Sequence, residues 1–213
     1  SPPPESGPVR DVVWLASYPR SGNTWLRFLL DAYFFPPAQV MQEVGRLSGE
    51  LDWWVQQARQ RNLPDSWIAY AGHEVRRRYP RPAGCPAHLF FKSHYALSEG
   101  HPLLERTRSA VLLLRDPRDV LLSGMNFADL TREGDGDADR RYALDFARSG
   151  GDRAWIDMGY GTWAGHAQSW LSAEGFPVLT VRYEDLIADT PAQLMELCQP
   201  HALRVLDDHQ AGI

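Results

Sequence analysis

The sequence predicts an α/β domain in which a central, mainly parallel sheet carries helices on both faces. Three observations lead there. The strand candidates are short and continuously apolar, as strands buried on two faces are. Each runs into turn or helix-start residues, and the segments between them repeat apolar residues at helical spacing. Strands that alternate with helices form parallel sheets through crossover connections.

The first strand is expected over Asp11 to Ser17, reading Asp-Val-Val-Trp-Leu-Ala-Ser. The turn-forming Tyr18-Pro19-Arg20-Ser21-Gly22-Asn23 follows, then a helix over Thr24 to Phe35 closed by Pro36-Pro37. Further strands are expected over Ala87 to Lys92, Ser109 to Arg115 and Pro177 to Arg182. Helices are expected over Leu51 to Arg61, Arg118 to Leu130, Asp139 to Ser149, Thr162 to Ala173 and Pro191 to Leu197. The connection from Phe35 to Ala87 is long, and the sheet so drawn has no need of it. The acidic Asp135-Gly136-Asp137-Ala138-Asp139 opens like a calcium loop, but Arg140 stands where glycine is required. It reads as a solvated loop, and no metal site is expected.

A chain of 213 residues fits one core, so residues 1–10 are read as a flexible N-terminal segment and 11–213 as a single domain. At 44% hydrophobic and 23% charged residues the composition is that of a soluble globular protein. No apolar run reaches the roughly 18 residues that suggest a membrane span. Ser1 to Pro8 has neither the basic start nor the apolar stretch of a secretory signal, which points to the cytoplasm. Cys85 and Cys198 make no metal-ligand spacing and suit a reducing compartment. A formal charge of −5 argues against broad nucleic-acid binding, so any bound anion must meet a local site. Lys92 is the sole lysine among 22 basic residues. Either chance left it there, or the position requires a compact ammonium rather than a guanidinium fork.

That local site is expected at Tyr18 to Trp25. In parallel α/β sheets ligands gather at the carboxyl ends of strands, where a helix N-terminus offers free N–H groups and a favourable dipole. Gly22 allows close backbone approach, Ser21 and Thr24 supply hydroxyls, and Arg20 supplies charge and forked donors. The Gly-x-x-x-x-Gly-Lys-Ser/Thr pattern of nucleoside-triphosphate loops is absent.

Ser17-Tyr18-Pro19-Arg20-Ser21-Gly22-Asn23-Thr24-Trp25 instead resembles the 5′-phosphosulfate loop of the sulfotransferases that use 3′-phosphoadenosine 5′-phosphosulfate (PAPS), bacterial members resembling the cytosolic type. Three more matches follow in order at strand ends. These are Lys92-Ser93-His94, then Arg115-Asp116-Pro117-Arg118-Asp119-Val120 with Ser123 eight residues beyond Arg115, and Tyr183-Glu184-Asp185-Leu186. Together they span Ser17 to about Asp189. The resemblance implies a P-loop-like three-layer fold and transfer of a sulfuryl group from PAPS to a hydroxyl acceptor, without a metal, leaving 3′-phosphoadenosine 5′-phosphate (PAP).

By the same resemblance His94 is the general base, and a neutral imidazole suits that task; the plain alternative is a structural histidine beside the sheet. Lys92 would stabilise the bridging oxygen and departing phosphate. Arg20, where the family commonly has lysine, would contact the 5′-phosphosulfate together with Ser21, Gly22, Asn23 and Thr24. Trp25 would stack on the adenine or serve as a core aromatic. Arg115 and Ser123 would bind the 3′-phosphate, unless Arg115 is instead an ion-pair partner of Asp116 or Asp119. Tyr183 would approach the adenine or be a buried tyrosine bonded to backbone, and Glu184 and Asp185 read as structural. The Phe35 to Ala87 connection, with Trp53, Trp54 and Trp67, is read as the source of acceptor specificity or as core packing.

The acceptor class itself stays open among small-molecule and glycoconjugate hydroxyls, and a homodimer is compatible with the sequence. The family's downstream Arg-Lys-Gly stretch, which wraps the 3′-phosphate, does not occur through Ile213. The same strand, loop and helix also admits a nucleotide-dependent kinase, or a non-catalytic relative that keeps only the nucleotide cradle.

Overall fold

The computed structural model describes residues 10–35, 48–62, 88–128 and 136–198. Five strands form one sheet in the order β2-β3-β1-β4-β5: β1 (Val12–Ser17), β2 (Ser48–Glu50), β3 (Leu89–Ser93), β4 (Thr107–Leu114) and β5 (Val178–Arg182). Every pairing is parallel. The helices are α1 (Asn23–Phe34), α2 (Leu51–Gln60), α3 (Pro117–Phe127), α4 (Gly136–Ser149), α5 (Trp163–Leu171), α6 (Tyr183–Ala188) and α7 (Thr190–Cys198). A 3-10 turn at Leu104–Arg106 leads into β4, and a single helical turn at Arg153–Trp155 runs into a π turn at Ile156–Tyr160.

The layers follow from β1, all six of whose residues are buried. Side chains alternate between the two faces of a strand. Val12, Trp14 and Ala16 therefore share one core with Leu51, Trp54 and Val55 of α2 and Trp170 of α5. Val13 and Leu15 share the other with Leu26, Leu29 and Leu30 of α1, Leu186 of α6 and Leu197 of α7. Trp14 also satisfies its indole N–H by donating to Thr107 Oγ1 at 2.9 Å. Full burial of each large apolar side chain stabilises by about 1.5–3 kcal/mol, and a strand sandwiched in this way must be apolar throughout. With β3 on one side of β1 and β4 on the other, the loop after β1 lies at the sheet's switch point, where such folds bind ligands.

The expected strands and helices stand within about three residues of their places, with two corrections. The Phe35 to Ala87 connection does serve the sheet, because Ser48–Glu50 pairs with Phe90, Phe91 and Lys92 of β3. Three residues are too short for a periodicity to register. Asp137 and Asp139 lie in the first turn of α4 rather than in a solvated loop. Carboxylates there are favoured by the positive end of the helix dipole. Within the connection, Trp54 is core, whereas Trp67 falls outside the described residues, as do Cys85 and the chain beyond Cys198.

Candidate functional site

The turn after β1 is shaped by two residues in left-handed backbone conformations, Arg20 at φ 66° and Gly22 at φ 94°. Between them Ser21 is buried, and its N–H donates to the Tyr18 carbonyl at 3.2 Å. This coil delivers the chain to the N-terminus of α1, whose first N–H groups have no partners within the helix. Successive turned N–H groups of this kind form an anion-binding concavity. The left-handed conformation costs a non-glycine residue about 1–2 kcal/mol, and Arg20 is held in it from several sides. Its Nε donates to Ser123 Oγ at 3.1 Å, its guanidinium lies 4.8 Å from the Phe127 ring centroid, and its carbonyl accepts from Arg115 Nη1 at 2.9 Å.

Arg115 directly follows β4 and pairs with neither Asp116 nor Asp119. Asp116 caps α3, accepting from the Arg118 N–H at 2.8 Å, and its carboxylate engages the Arg118 guanidinium instead. Asp-Pro at a helix start explains the cap, since Pro117 occupies a position whose N–H would have no partner. The Arg115 guanidinium lies 4.4 Å over the Tyr183 ring, and the Arg115 carbonyl accepts from Trp163 Nε1 at 3.1 Å. Glu184 is structural, as expected: its Oε1 accepts from the Asp116 N–H at 2.8 Å and ties α6 to the start of α3.

Tyr183 also packs on Gly22. A Cβ added to Gly22 would overlap the Tyr183 ring, so this glycine is required both by its positive φ and by the space. Replacing Gly22 with alanine is expected to displace Tyr183 and the loop and to weaken nucleotide binding at least tenfold, read by calorimetry; unchanged affinity would show that the loop does not bind the nucleotide.

His94 follows β3 directly. Its Nδ1 lies 2.7 Å from the Ser17 carbonyl and 3.3 Å from Ser17 Oγ, and its backbone N–H donates to Asp52 Oδ1 at 3.1 Å. A carbonyl only accepts, which assigns the proton to Nδ1 and leaves the lone pair on Nε2. The ring meets Tyr160 edge to face at 5.7 Å, and Tyr160 meets Tyr95 at 5.2 Å. Burial, with the Asp52 carboxylate and Tyr95 adding to it, pushes the Tyr160 phenol well above its ordinary pKa, so it stays neutral.

These groups converge on a cavity of about 710 Å³, within the size range of small-molecule sites. Of the residues expected at the site, Arg20, Gly22, Asn23, Thr24, Trp25, His94, Arg115, Ser123 and Tyr183 line it. Trp25 is 41% exposed and stacks on Phe28 at 5.7 Å, so it is a wall of the cavity rather than a core aromatic. The Asn23 side chain turns inward, donating to the Leu15 carbonyl at 2.9 Å and to Ser17 Oγ at 3.1 Å. It fastens α1 to β1, and the Asn23 backbone N–H, in the first turn of α1, has no partner within the helix. Ser21 Oγ and Arg115 Nε are buried polar atoms without a hydrogen-bond partner among the described residues. Orphaned donors beside a helix N-terminus fit a phosphate or sulfate group.

Lys92 does not line the cavity; its Nζ pairs with Asp52 Oδ2 at 2.7 Å. Asp52 escaped the sequence reading because an aspartate in the first turn of an amphipathic helix is ordinary capping chemistry. Trp155, Met158, Tyr160, Phe28 and Phe127, which also line the cavity, were missed as well. The Gly159-Tyr160-Gly161 run was the available signal, since both glycines adopt positive φ and bend the chain so that Tyr160 reaches His94.

The sulfotransferase domain family model matches residues 10–201. Among curated proteins, the chain is 25% identical over 190 residues to a 3-alpha-hydroxysteroid sulfotransferase of Cavia porcellus, covering 86% of this chain and 56% of that one. It is 27% identical over 197 residues to sulfotransferase 2A1 of Rattus norvegicus, covering 88% and 58%. Among solved structures, the fold is similar to mouse sulfotransferase SULT7A1 complexed with PAP, at TM-score 0.55 and 19% identity, covering 96% of this chain and 61% of that one. A retinol dehydratase in a complex with retinol and PAP gives TM-score 0.54 and 22% identity, covering 90% and 60%. The chain thus spans a little over half the length of these relatives.

Proposed function

Because the chain belongs to the sulfotransferase family, we propose that it transfers a sulfuryl group from PAPS to a hydroxyl acceptor with His94 as general base. The observation that carries this reading is the orientation of His94. Its Nδ1–H is fixed on the Ser17 carbonyl at 2.7 Å, so the lone pair of Nε2 belongs to a ring that lines the same cavity as the anion loop.

When bound, PAPS supplies an activated sulfuryl group on a phosphate leaving group. Ser21 Oγ, the N–H groups of Gly22, Asn23 and Thr24, and the Arg20 guanidinium would hold its 5′ end. Arg115 and Ser123 would hold the 3′-phosphate, and exposed Trp25 would stack on the adenine. His94 Nε2 would take the proton of the acceptor hydroxyl, while Ser17 keeps the imidazole in the required tautomer. The Trp155, Met158 and Tyr160 wall would exclude water from that proton transfer. The acceptor in this proposal is a small-molecule or glycoconjugate hydroxyl. A cytoplasmic setting rests on the cysteine usage.

Calorimetric titration with PAP and, separately, with ADP in the presence of chelator tests the donor site. Micromolar binding selective for PAP is expected. Preference for ADP, or for ATP in a parallel titration with magnesium in place of chelator, would move the chain to nucleotide-dependent phosphotransfer. PAP binding without transfer to any acceptor would make it a non-catalytic relative.

A further inference from the structure

We propose that Asp52 is a positioning residue for Lys92. Its carboxylate holds the sole lysine ammonium outside the cavity and releases it when an anionic nucleotide arrives. The inference rests on the PAPS reading and adds to it a residue from α2 that none of the sequence motifs contains.

The placement comes from the sheet. β2 runs parallel to β3 with Glu50 opposite Lys92, and α2 starts at Leu51 without an intervening loop. Two residues beyond that register position, Asp52 stands beside His94, and its Oδ1 accepts the His94 N–H at 3.1 Å as though extending the ladder. Its other oxygen, Oδ2, forms an ion pair with Lys92 Nζ at 2.7 Å, without hydrogen-bond alignment, and the two side chains are only 9% and 15% exposed. One carboxylate therefore holds both chemical residues of Lys92-Ser93-His94, one by its backbone and one by its charge.

An ion pair this sheltered has already lost most of its hydration, and breaking it leaves each charge in need of a new partner. Nucleotide phosphates are such a partner for the ammonium. On the other side, the N-terminus of α2 and the His94 N–H keep the Asp52 carboxylate solvated by protein dipoles. The exchange is one of counter-ions and breaks no covalent bond. A lysine suits it better than an arginine, because a point charge on a flexible stem can change partners without rebuilding a bidentate geometry.

The single lysine makes the exchange directly observable. In protein labelled with 13C and 15N only at lysine, the side chain gives one ζ-ammonium resonance, and calorimetry on the same sample reports PAP binding. Saturation with PAP is expected to move that resonance. In Asp52→Asn, which keeps an acceptor for the His94 N–H, the nucleotide-free resonance is expected to be displaced already. PAP is expected to bind that variant about tenfold tighter, because the ion pair with Asp52 need not be broken. The gain should vanish in the double variant Asp52→Asn, Lys92→Met, relative to Lys92→Met alone.

A resonance that stays fixed while PAP heat saturates would overturn the exchange and leave the PAPS reading standing. So would a gain that persists without Lys92, since it would then be the field of one carboxylate removed. Absence of saturable heat in the unsubstituted chain would instead remove the PAPS reading, and this inference with it. If Asp52→Asn does not fold, the resonance in the unsubstituted chain decides alone.

Discussion

Replacing His94 with alanine is expected to slow sulfuryl transfer by about 10²–10⁴-fold, the usual contribution of a positioned general base, while PAP affinity changes little. The separation follows from where the two functions sit. The turn after β1, Arg115 and Ser123 reach the cavity from β1, β4 and α3, whereas His94 reaches it from the end of β3 and meets the end of β1 through Ser17. Losing the ring removes one donor from the Ser17 side, but Ser17 Oγ still accepts from Asn23 Nδ2 at 3.1 Å, so the β1–α1 junction keeps its tie. Turnover is followed as PAP released from PAPS with a panel of phenols and alcohols, and affinity by calorimetry. A loss of kcat without a loss of PAP binding identifies an interaction made only in the transition state. Transfer at full rate would remove His94 from the chemistry. Loss of PAP binding in parallel would make it a structural residue of the β3 end.

The elements that sequence reveals well are those whose own residues carry the period. β1, β3 and β4 are largely buried apolar runs, β5 is a shorter, half-exposed edge strand with only Val181 buried, and α1, α2 and α5 are amphipathic, so each could be placed from its neighbours in sequence. The turn after β1 was legible for a related reason, because Pro19, Gly22 and the helix start of α1 lie within eight residues of one another. What was not legible depends on distant residues. β2 has three residues and is a strand only because β3 lies beside it. Asp52 looks like any helix-start aspartate until the sheet register brings it to Lys92 and His94. Tyr183 reads in the sequence either as a neighbour of the adenine or as a buried tyrosine bonded to backbone, but its fit against Gly22 and beneath Arg115 requires β5 to lie next to β4. Lys92 stands out in the sequence as the sole lysine and by its motif at a strand end, but its ion pair is with Asp52, on a helix more than thirty residues earlier in the chain.

Acid is expected to destabilise the fold well above the pH at which carboxylates titrate, because two histidines are buried in neutral form. His101 is 5% exposed, wedged edge-on against Trp14 at 4.6 Å and Trp170 at 5.4 Å, with its nitrogens near Ser93 Oγ and the Pro102 carbonyl. Burial pushes its pKa down to about 4. His166 on α5 is fully buried against the Tyr18 ring, neither ring nitrogen has a hydrogen-bond partner among the described residues, and burial with repulsion from His94 pushes it down to about 3. An unfolded histidine titrates near about 6.5. Above that pH both states are neutral and these groups give no pH dependence. As pH falls through about 6.5, the unfolded chain takes up protons that the native chain refuses, so stability declines, and the decline stops only below the folded values near 4 and 3. His101 alone would cost about 3 kcal/mol across its window, as an order of magnitude. Urea unfolding midpoints at pH 7.5, 6 and 5 measure it, and a double variant His101→Gln, His166→Gln should flatten the dependence. A stability that stays level between pH 6.5 and 5 in the unsubstituted chain would mean that these rings gain protons in the native state, and hence that the core around Trp14 and Tyr18 admits water.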